Sequence, residues 1–194
     1  MNMKRFSGKK GFTVLIFLAC LMVGYYAYLS NHSTSKEEND EAAVLTKVEK
    51  VLSRNLETNY PPTPREVVKY FSEISECFYN EEYSEEKLIE LADKIRLLYD
   101  DELVANQTKD DYITQLKEDI EEFKGNKRTI YNYTPSSSID VEPFTEDGYE
   151  WARLYCIYSI KEGTGIKKSN TQFLLRKNSE GHYKIYGWKL VEAE

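Results

Sequence analysis

The side chains whose types could build a ligand or partner site are Tyr70, Trp151, Arg153, Tyr155, Tyr158, Tyr186 and Trp188. Phenol and indole rings offer flat apolar faces with a polar tip, which suits a pocket wall or a contact surface. The same rings serve as core or sheet-surface packing, the commoner use. Arg153 is a charge inside an otherwise apolar run, where it could neutralise an anionic ligand or form a plain surface ion pair. Acid–base chemistry is less well served. His32 and His182 sit in polar or turn-like stretches. Asp93, Asp100, Asp101, Asp110 and Asp111 fall at helix ends or polar faces, where capping and solubility account for them. Asp140 and Glu150 flank strands. None has an apolar setting that would tune it as a general base.

Sequence signatures of catalysis are missing as well. The chain has no HExxH, paired CxxC, GxSxG, P-loop or GxGxxG pattern. Gly163-Thr164-Gly165 reads as a turn, since no helix follows to hold a phosphate. The acids of "YDDELVANQTKDD" (99–111) lack the regular spacing of a calcium loop and read as a solvated helix junction. No catalytic residue, metal ligand or cofactor is therefore assigned.

These residues must be positioned by a chain with two unlike parts. "TVLIFLACLMVGYYAYL" (13–29) belongs to a run from Gly11 that carries no charge. At about 1.5 Å per helical residue it is long enough to cross a bilayer core. Phe17-Leu18-Ala19-Cys20 has the outline of a lipobox, but the chain stays apolar through Leu21-Met22-Val23 where a mature lipoprotein turns polar. Small residues of a cleavage site are also missing, and Tyr25, Tyr26 and Tyr28 resemble an aromatic belt. The expectation is a retained anchor at 11–29. Lys4, Arg5, Lys9 and Lys10 precede it and acids follow it, which puts the tail (1–10) in the cytoplasm and the rest outside. Of the 26 basic residues, setting aside those four leaves 22 against 33 acids, a net of −11 for the exterior part. Such a surface repels phosphate backbones, so nucleic acid is an unsuitable partner. The anchor makes the membrane one partner; a protein partner or self-association is the other.

After a polar spacer (30–41), "AAVLTKVEKVLSRNLE" predicts an amphipathic helix over 42–58, packed on the domain or forming a short stalk. Thr63, Pro64 and Glu66 open a second helix, with a capping box expected between Thr63 and Glu66. Its apolar face is Val67, Tyr70, Phe71, Ile74, Cys77 and Phe78. Two more helices start at Ser84 and Thr108. Beyond Gly125-Asn126 the apolar period changes to two. "RTIYNYT" is a strand, 135–148 is mostly loop with a short strand at 139–141, and three long strands follow with Gly-containing turns between them. Helices followed by an antiparallel meander predict an α+β domain over 60–194, with helices on one sheet face. The 16 tyrosines fit that sheet. Cys77 and Cys156 fall on apolar faces and read as buried free thiols, although an oxidising exterior would permit a bridge.

The element order, with the closing "FLLRKNSEGHYKIYGWKL", resembles the nuclear transport factor 2-like (cystatin-like) superfamily. The matching positions are the turn Gly181, Tyr183, Lys184, Ile185, Gly187 and Trp188. The resemblance implies a sheet curling around the first helices to leave a conical cavity. Some relatives use that cavity as an enzyme pocket, with an aspartate or histidine base and a tyrosine; others use the sheet face for protein contact. Extracytoplasmic domains of conjugation-apparatus proteins share the short tail, single anchor and outer domain. "NLETNYPPTPREVVKYF" behind an anchor also resembles an uncharacterised membrane-anchored protein family of clostridial bacteria, which implies a Gram-positive cell surface. Together these readings lead to a single-pass, extracytoplasmic binding or assembly module, with a cavity enzyme or small-molecule binder as the alternative.

Overall fold

A computed structural model of the chain describes residues 45–191. The expected tail, anchor, aromatic belt, Cys20 and spacer lie outside them. Among the described residues no helix is long and apolar enough to cross a membrane.

Each helix starts on a side chain suited to its cap. Thr46 opens α1 (Lys47–Leu52) with a full capping box. Glu49 N–H donates to Thr46 Oγ1 at 3.2 Å, and Thr46 N–H donates to Glu49 Oε2 at 2.9 Å. The helix expected to run to residue 58 stops at Leu52, and Leu56 is buried from the following turn. Val48 and Val51 pack into the domain, so α1 is no stalk. Thr63 caps α2 (Pro64–Asn80) by accepting from Glu66 N–H at 3.2 Å, with Pro64 in the first turn. Among the described residues no bond returns from the Glu66 carboxylate, so only half of that expected box forms. The α2 helix buries its expected apolar face and also Val68, Ser72 and Ser75. The serine hydroxyls donate to the carbonyls of Val68 and Phe71 at 2.8 and 2.9 Å, so burial leaves no polar group unpaired there.

Ser84 caps α3 (Glu85–Arg96) and Thr108 caps α5 (Lys109–Gly125). Between them lies α4 (Asp101–Ala105), a short helix in the stretch read as a solvated junction. Its cap is Asp100, which accepts from Glu102 N–H at 3.0 Å.

The strands are β1 (Arg128–Pro135), β2 (Glu142–Glu146), β3 (Tyr149–Glu162), β4 (Gly165–Lys177) and β5 (Tyr183–Val191). All pair antiparallel in the order β1-β3-β4-β5, with β2 on the N-terminal half of β3 beside β1. The domain is therefore α+β. The strand expected at 139–141 is instead a 3-10 turn at Ser138–Asp140, and β2 begins just after it. Asp147 and Gly148 explain the shift. Both have positive φ, 50° and 79°, as a two-residue primed turn requires. That turn fixes Glu146 opposite Tyr149 and draws 142–146 into the ladder.

Ala152, Leu154, Cys156 and Tyr158 on β3, Phe173 and Leu175 on β4, and Ile185 on β5 make the sheet's inner face. The helices pack against part of it. At Asn80, the last residue of α2, the side-chain amide donates to Ile130 O at 2.7 Å and its oxygen accepts from Ile130 N–H at 2.8 Å. A bulge at Tyr131 follows in β1.

A second bulge lies in β5. Leu175 pairs with Ile185 and Leu174 with Gly187, so Tyr186 has no opposite number. One extra residue shifts the alternation, putting Ile185 and Trp188 on the same inner face. At the bulge the chain leaving α3 pairs with β5: Asp100 N–H donates to Ile185 O at 2.9 Å and Ile185 N–H to Leu98 O at 2.8 Å. The Asp100 carboxylate grips Arg176, with Nη2 2.5 Å from Oδ1 and Nε 3.0 Å from Oδ2. Only 5% of the Asp100 side chain is exposed. Arg176 also reaches Glu102 at 2.7 Å, and Tyr149, Trp151 and Tyr186 surround its guanidinium at 4.7, 5.5 and 5.1 Å. The paired carboxylates raise the Arg176 pKa further above its already high value, Asp100 first.

Removing one partner of a buried pair strands the other charge. Asp100→Ala is expected to lower the unfolding free energy by about 2–3 kcal/mol, the lower range because Arg176 keeps some solvent contact. Urea denaturation at neutral pH would measure it; a midpoint equal to that of the parent would show that the pair does not hold the fold.

Candidate binding cavity

The inner face of the sheet is not fully covered. A cavity of about 520 Å³ remains between α2, the end of α3, α4, α5 and the strands. Its size is that of a small-molecule site. Phe71 comes from α2, Tyr99 from the segment that pairs with β5, and Phe173 and Trp188 from the sheet. Their rings form one cluster, with Phe71–Phe173, Phe71–Trp188 and Tyr99–Trp188 centroids at 5.3, 5.4 and 5.7 Å. Tyr79 and Phe123, 4.6 Å apart, form a second patch where α2 meets α5. Trp188 is 45% exposed and Leu190 75% exposed, though both line the cavity.

Most of the polar side chains that line it are neutral: hydroxyls of tyrosine, serine and threonine, and the amides of Gln107 and Gln115. Tyr99 and Tyr112 hydroxyls face each other at 3.4 Å, a long contact that leaves both with hydrogen-bonding capacity. Tyr158 and Ser72 hydroxyls lie 2.7 Å apart, and Cys156 Sγ is 3.8 Å from Ser72. Burial raises the pKa of Tyr99, Tyr112, Tyr158 and Cys156, so all stay protonated at neutral pH. Charge stands at the margin, in Arg96 and Asp119. Arg96 lies over the Tyr112 ring at 5.3 Å. Among the described residues no carboxylate in the cavity bonds a phenol. The tyrosine–carboxylate bond present, Tyr186 to Glu102 at 3.0 Å, is on the outer side. It lowers the Glu102 pKa, after the larger effect of Arg176, and raises that of Tyr186.

The candidate residues named from the sequence do not converge. Tyr158 and Trp188 reach the cavity. Trp151, Arg153, Tyr155 and Tyr186 are on the outer face. There Trp151 and Tyr186 pack edge-on at 5.0 Å beside Arg176, and Tyr155 accepts from Gln172 at 2.6 Å. Arg153 pairs with Glu142 at 3.2 Å and lies over Phe144, the plain ion pair. Tyr70 belongs to neither group. It donates to Val51 O at 2.7 Å and carries Arg54 on its ring, which pins α1. His182 stacks on Tyr60 at the last hairpin, away from any catalytic setting. Cys77 and Cys156 are both buried and unbridged. Sequence reasoning misses Phe71 and Tyr99 as cavity walls, and Arg176 altogether. A charge at an alternating strand position opposite a tryptophan is the available signal for the last.

The fold and site together define an α+β domain with an aromatic-walled cavity between its helices and sheet, and with no acid–base pair inside among the described residues. The chain belongs to the family described as Domain of unknown function (DUF6715), whose family model matches residues 1–188. The match takes in both the N-terminal segment and this domain. No curated protein matches the chain.

The buried acids give a pH dependence with a definite sign. Burial pushes the Cys77 thiol up to about 12 from an ordinary 9.0. It pushes the phenols of Tyr70, Tyr79 and Tyr133 to about 12 from 10.0. The unfolded chain therefore loses these protons first. Their contribution to stability is complete below pH 9 and declines as pH rises toward 12. Urea midpoints should be insensitive to these groups near neutrality and fall above pH 9, and the phenols' absorbance change should come late in the native protein and near the ordinary value in urea. Native Cys77 should also resist iodoacetamide at about pH 8 and react promptly once unfolded, the ordinary behaviour of a buried thiol. Equal rates in both states would contradict the burial argument.

Proposed function

We propose that the chain is a single-pass, membrane-anchored extracytoplasmic binding module of nuclear transport factor 2-like architecture, without catalytic activity, at the surface of a Gram-positive cell. The observation that carries the binding reading is the cavity itself: 520 Å³ walled by aromatic rings, with apolar side chains left uncovered at its mouth. Exposed Trp188 and Leu190 make sense if something covers them in use. Helices stacked on the inner face of an antiparallel sheet, and the closing hairpin that brings Trp188 inward, support the architecture. The uncharged run at 11–29, basic before and acidic after, supports the anchor and its direction.

Enzymatic use of the same cavity is the weaker reading. The phenols there bond hydroxyls rather than carboxylates, and burial holds them protonated. An assembly role in an envelope complex would use the same uncovered mouth as a contact surface.

Thermal unfolding of the full chain in fractions of extract from its own cells tests the binding reading. A fraction holding the ligand should raise the Tm by several degrees, as about 100 Kd of ligand adds about 2.7 kcal/mol. Ser169→Trp, which fills the cavity from β4, should fold and lose the shift. A shift that survives Ser169→Trp would place binding elsewhere. Protease added to intact cells should remove the domain. Release of the domain into the medium, or Cys20-dependent palmitate labelling, would sink the retained anchor.

A further inference from the structure

Among the described residues, Arg96 is the one half-buried cation lining the cavity. It leaves the end of α3 and lies over the Tyr112 ring. Among those residues it makes no ion pair and no hydrogen bond, whereas Arg54, Arg128, Arg153 and Arg176 all have polar partners. Its neighbours inside are the Tyr99 and Tyr112 hydroxyls, which can donate as well as accept. The opposite charge at the cavity, Asp119, is exposed on α5, where water solvates it and weakens its pull on a ligand. A guanidinium held against an aromatic face keeps its edge N–H groups free, and their fork matches a carboxylate. Beyond that edge the Phe71, Tyr99 and Trp188 rings form the apolar wall.

We propose that the cavity binds a small aromatic or polycyclic carboxylic acid, its rings against Trp188, Tyr99 and Phe71 and its carboxylate on Arg96 with the Tyr112 hydroxyl. The proposal rests on the binding reading above and adds to it the charge and shape of the ligand. Rings select a flat body because offset and edge-on contacts gain over simple area burial. Arg96 selects the anion because a charge-assisted bond is stronger than a neutral one. The ligand covers the apolar surface of Trp188 that is otherwise wet.

The chain contains two tryptophans. Trp188 lines the cavity and Trp151 is on the opposite face of the sheet. Full-length chain in lipid nanodiscs, labelled with 5-fluorotryptophan, therefore carries a reporter and its internal control. Titrations would use 2-naphthoate, 2-naphthol and 2-naphthylmethylamine, followed by fluorine NMR. The expected result is a saturable shift of the Trp188 resonance with Trp151 unmoved, and 2-naphthoate binding about tenfold tighter than the amine or the alcohol. Arg96→Gln should abolish that preference while both resonances keep their unliganded positions, and Asp119→Asn should leave naphthoate binding intact. Equal binding of all three probes, or a preference that survives Arg96→Gln, would overturn the carboxylate assignment and leave the binding reading standing. No shift at Trp188 with any probe, or equal shifts at both tryptophans, would overturn the flat-ringed acid as the ligand, while the binding reading falls only if no extract fraction raises the Tm.

Discussion

Two backbone hydrogen bonds join the segment that follows α3 to β5, and the inner side of the domain is arranged around them. They run between Asp100 and Ile185 and between Ile185 and Leu98. Since Ile185 sits at the bulge, the contact fixes where the strand's alternation shifts. The shift turns Trp188 inward and Tyr186 outward. The same short segment carries Tyr99 into the cavity wall and Asp100 toward Arg176. A backbone contact of three residues thus sets one wall of the cavity, the cap of α4 and the buried ion pair.

The sheet's two faces use their aromatic residues differently. Outside, the rings of Tyr149, Trp151 and Tyr186 close around Arg176, whose charge is matched by Asp100 and Glu102. The charges of that cluster are matched within it, and the Trp151 and Tyr186 polar tips bond Glu146 O and Glu102, so it stiffens the sheet and offers little to a ligand. Inside, Phe71, Tyr99 and Trp188 touch one another on one side and empty space on the other. Rings of the same types are a brace on one face and a wall on the other. What separates them is whether a charge already fills the gap.

The fold class and element order are legible in the sequence because they depend on local signals. Thr63-Pro64, Ser84 and Thr108 cap helices by satisfying free N–H groups, and period-two runs mark β3 to β5. The Asp147-Gly148 turn is a local signal too, but it stands in a polar stretch that reads as loop, and β2 is displaced accordingly. α4 is only five residues long and has no buried side chain, so no periodicity reveals it. The candidate site is the least legible part. Strand alternation alone separates Trp151, Arg153 and Tyr155 from Tyr158, whereas residue type groups them together. The bulge at Tyr186 is a tertiary event with no mark in "KIYGWKL" except the glycine beside it. Arg96 and Tyr99 stand just before the acids that dominate that junction, and the burial of Tyr99 depends on β5, which lies far along the chain.

The Asn80 amide has a consequence beyond the domain itself. By bonding both the N–H and the carbonyl of Ile130, it occupies the outward-facing hydrogen-bonding groups of β1 as a strand would. Residues 98–100 do the same at Ile185 on the opposite border of the sheet. Each border is interrupted again by a bulge next to the occupied residue. A continuous open border is a template on which identical chains stack and precipitate. Crowded copies of this domain would find both borders already engaged at those points, which favours separate molecules over ribbons of joined sheets.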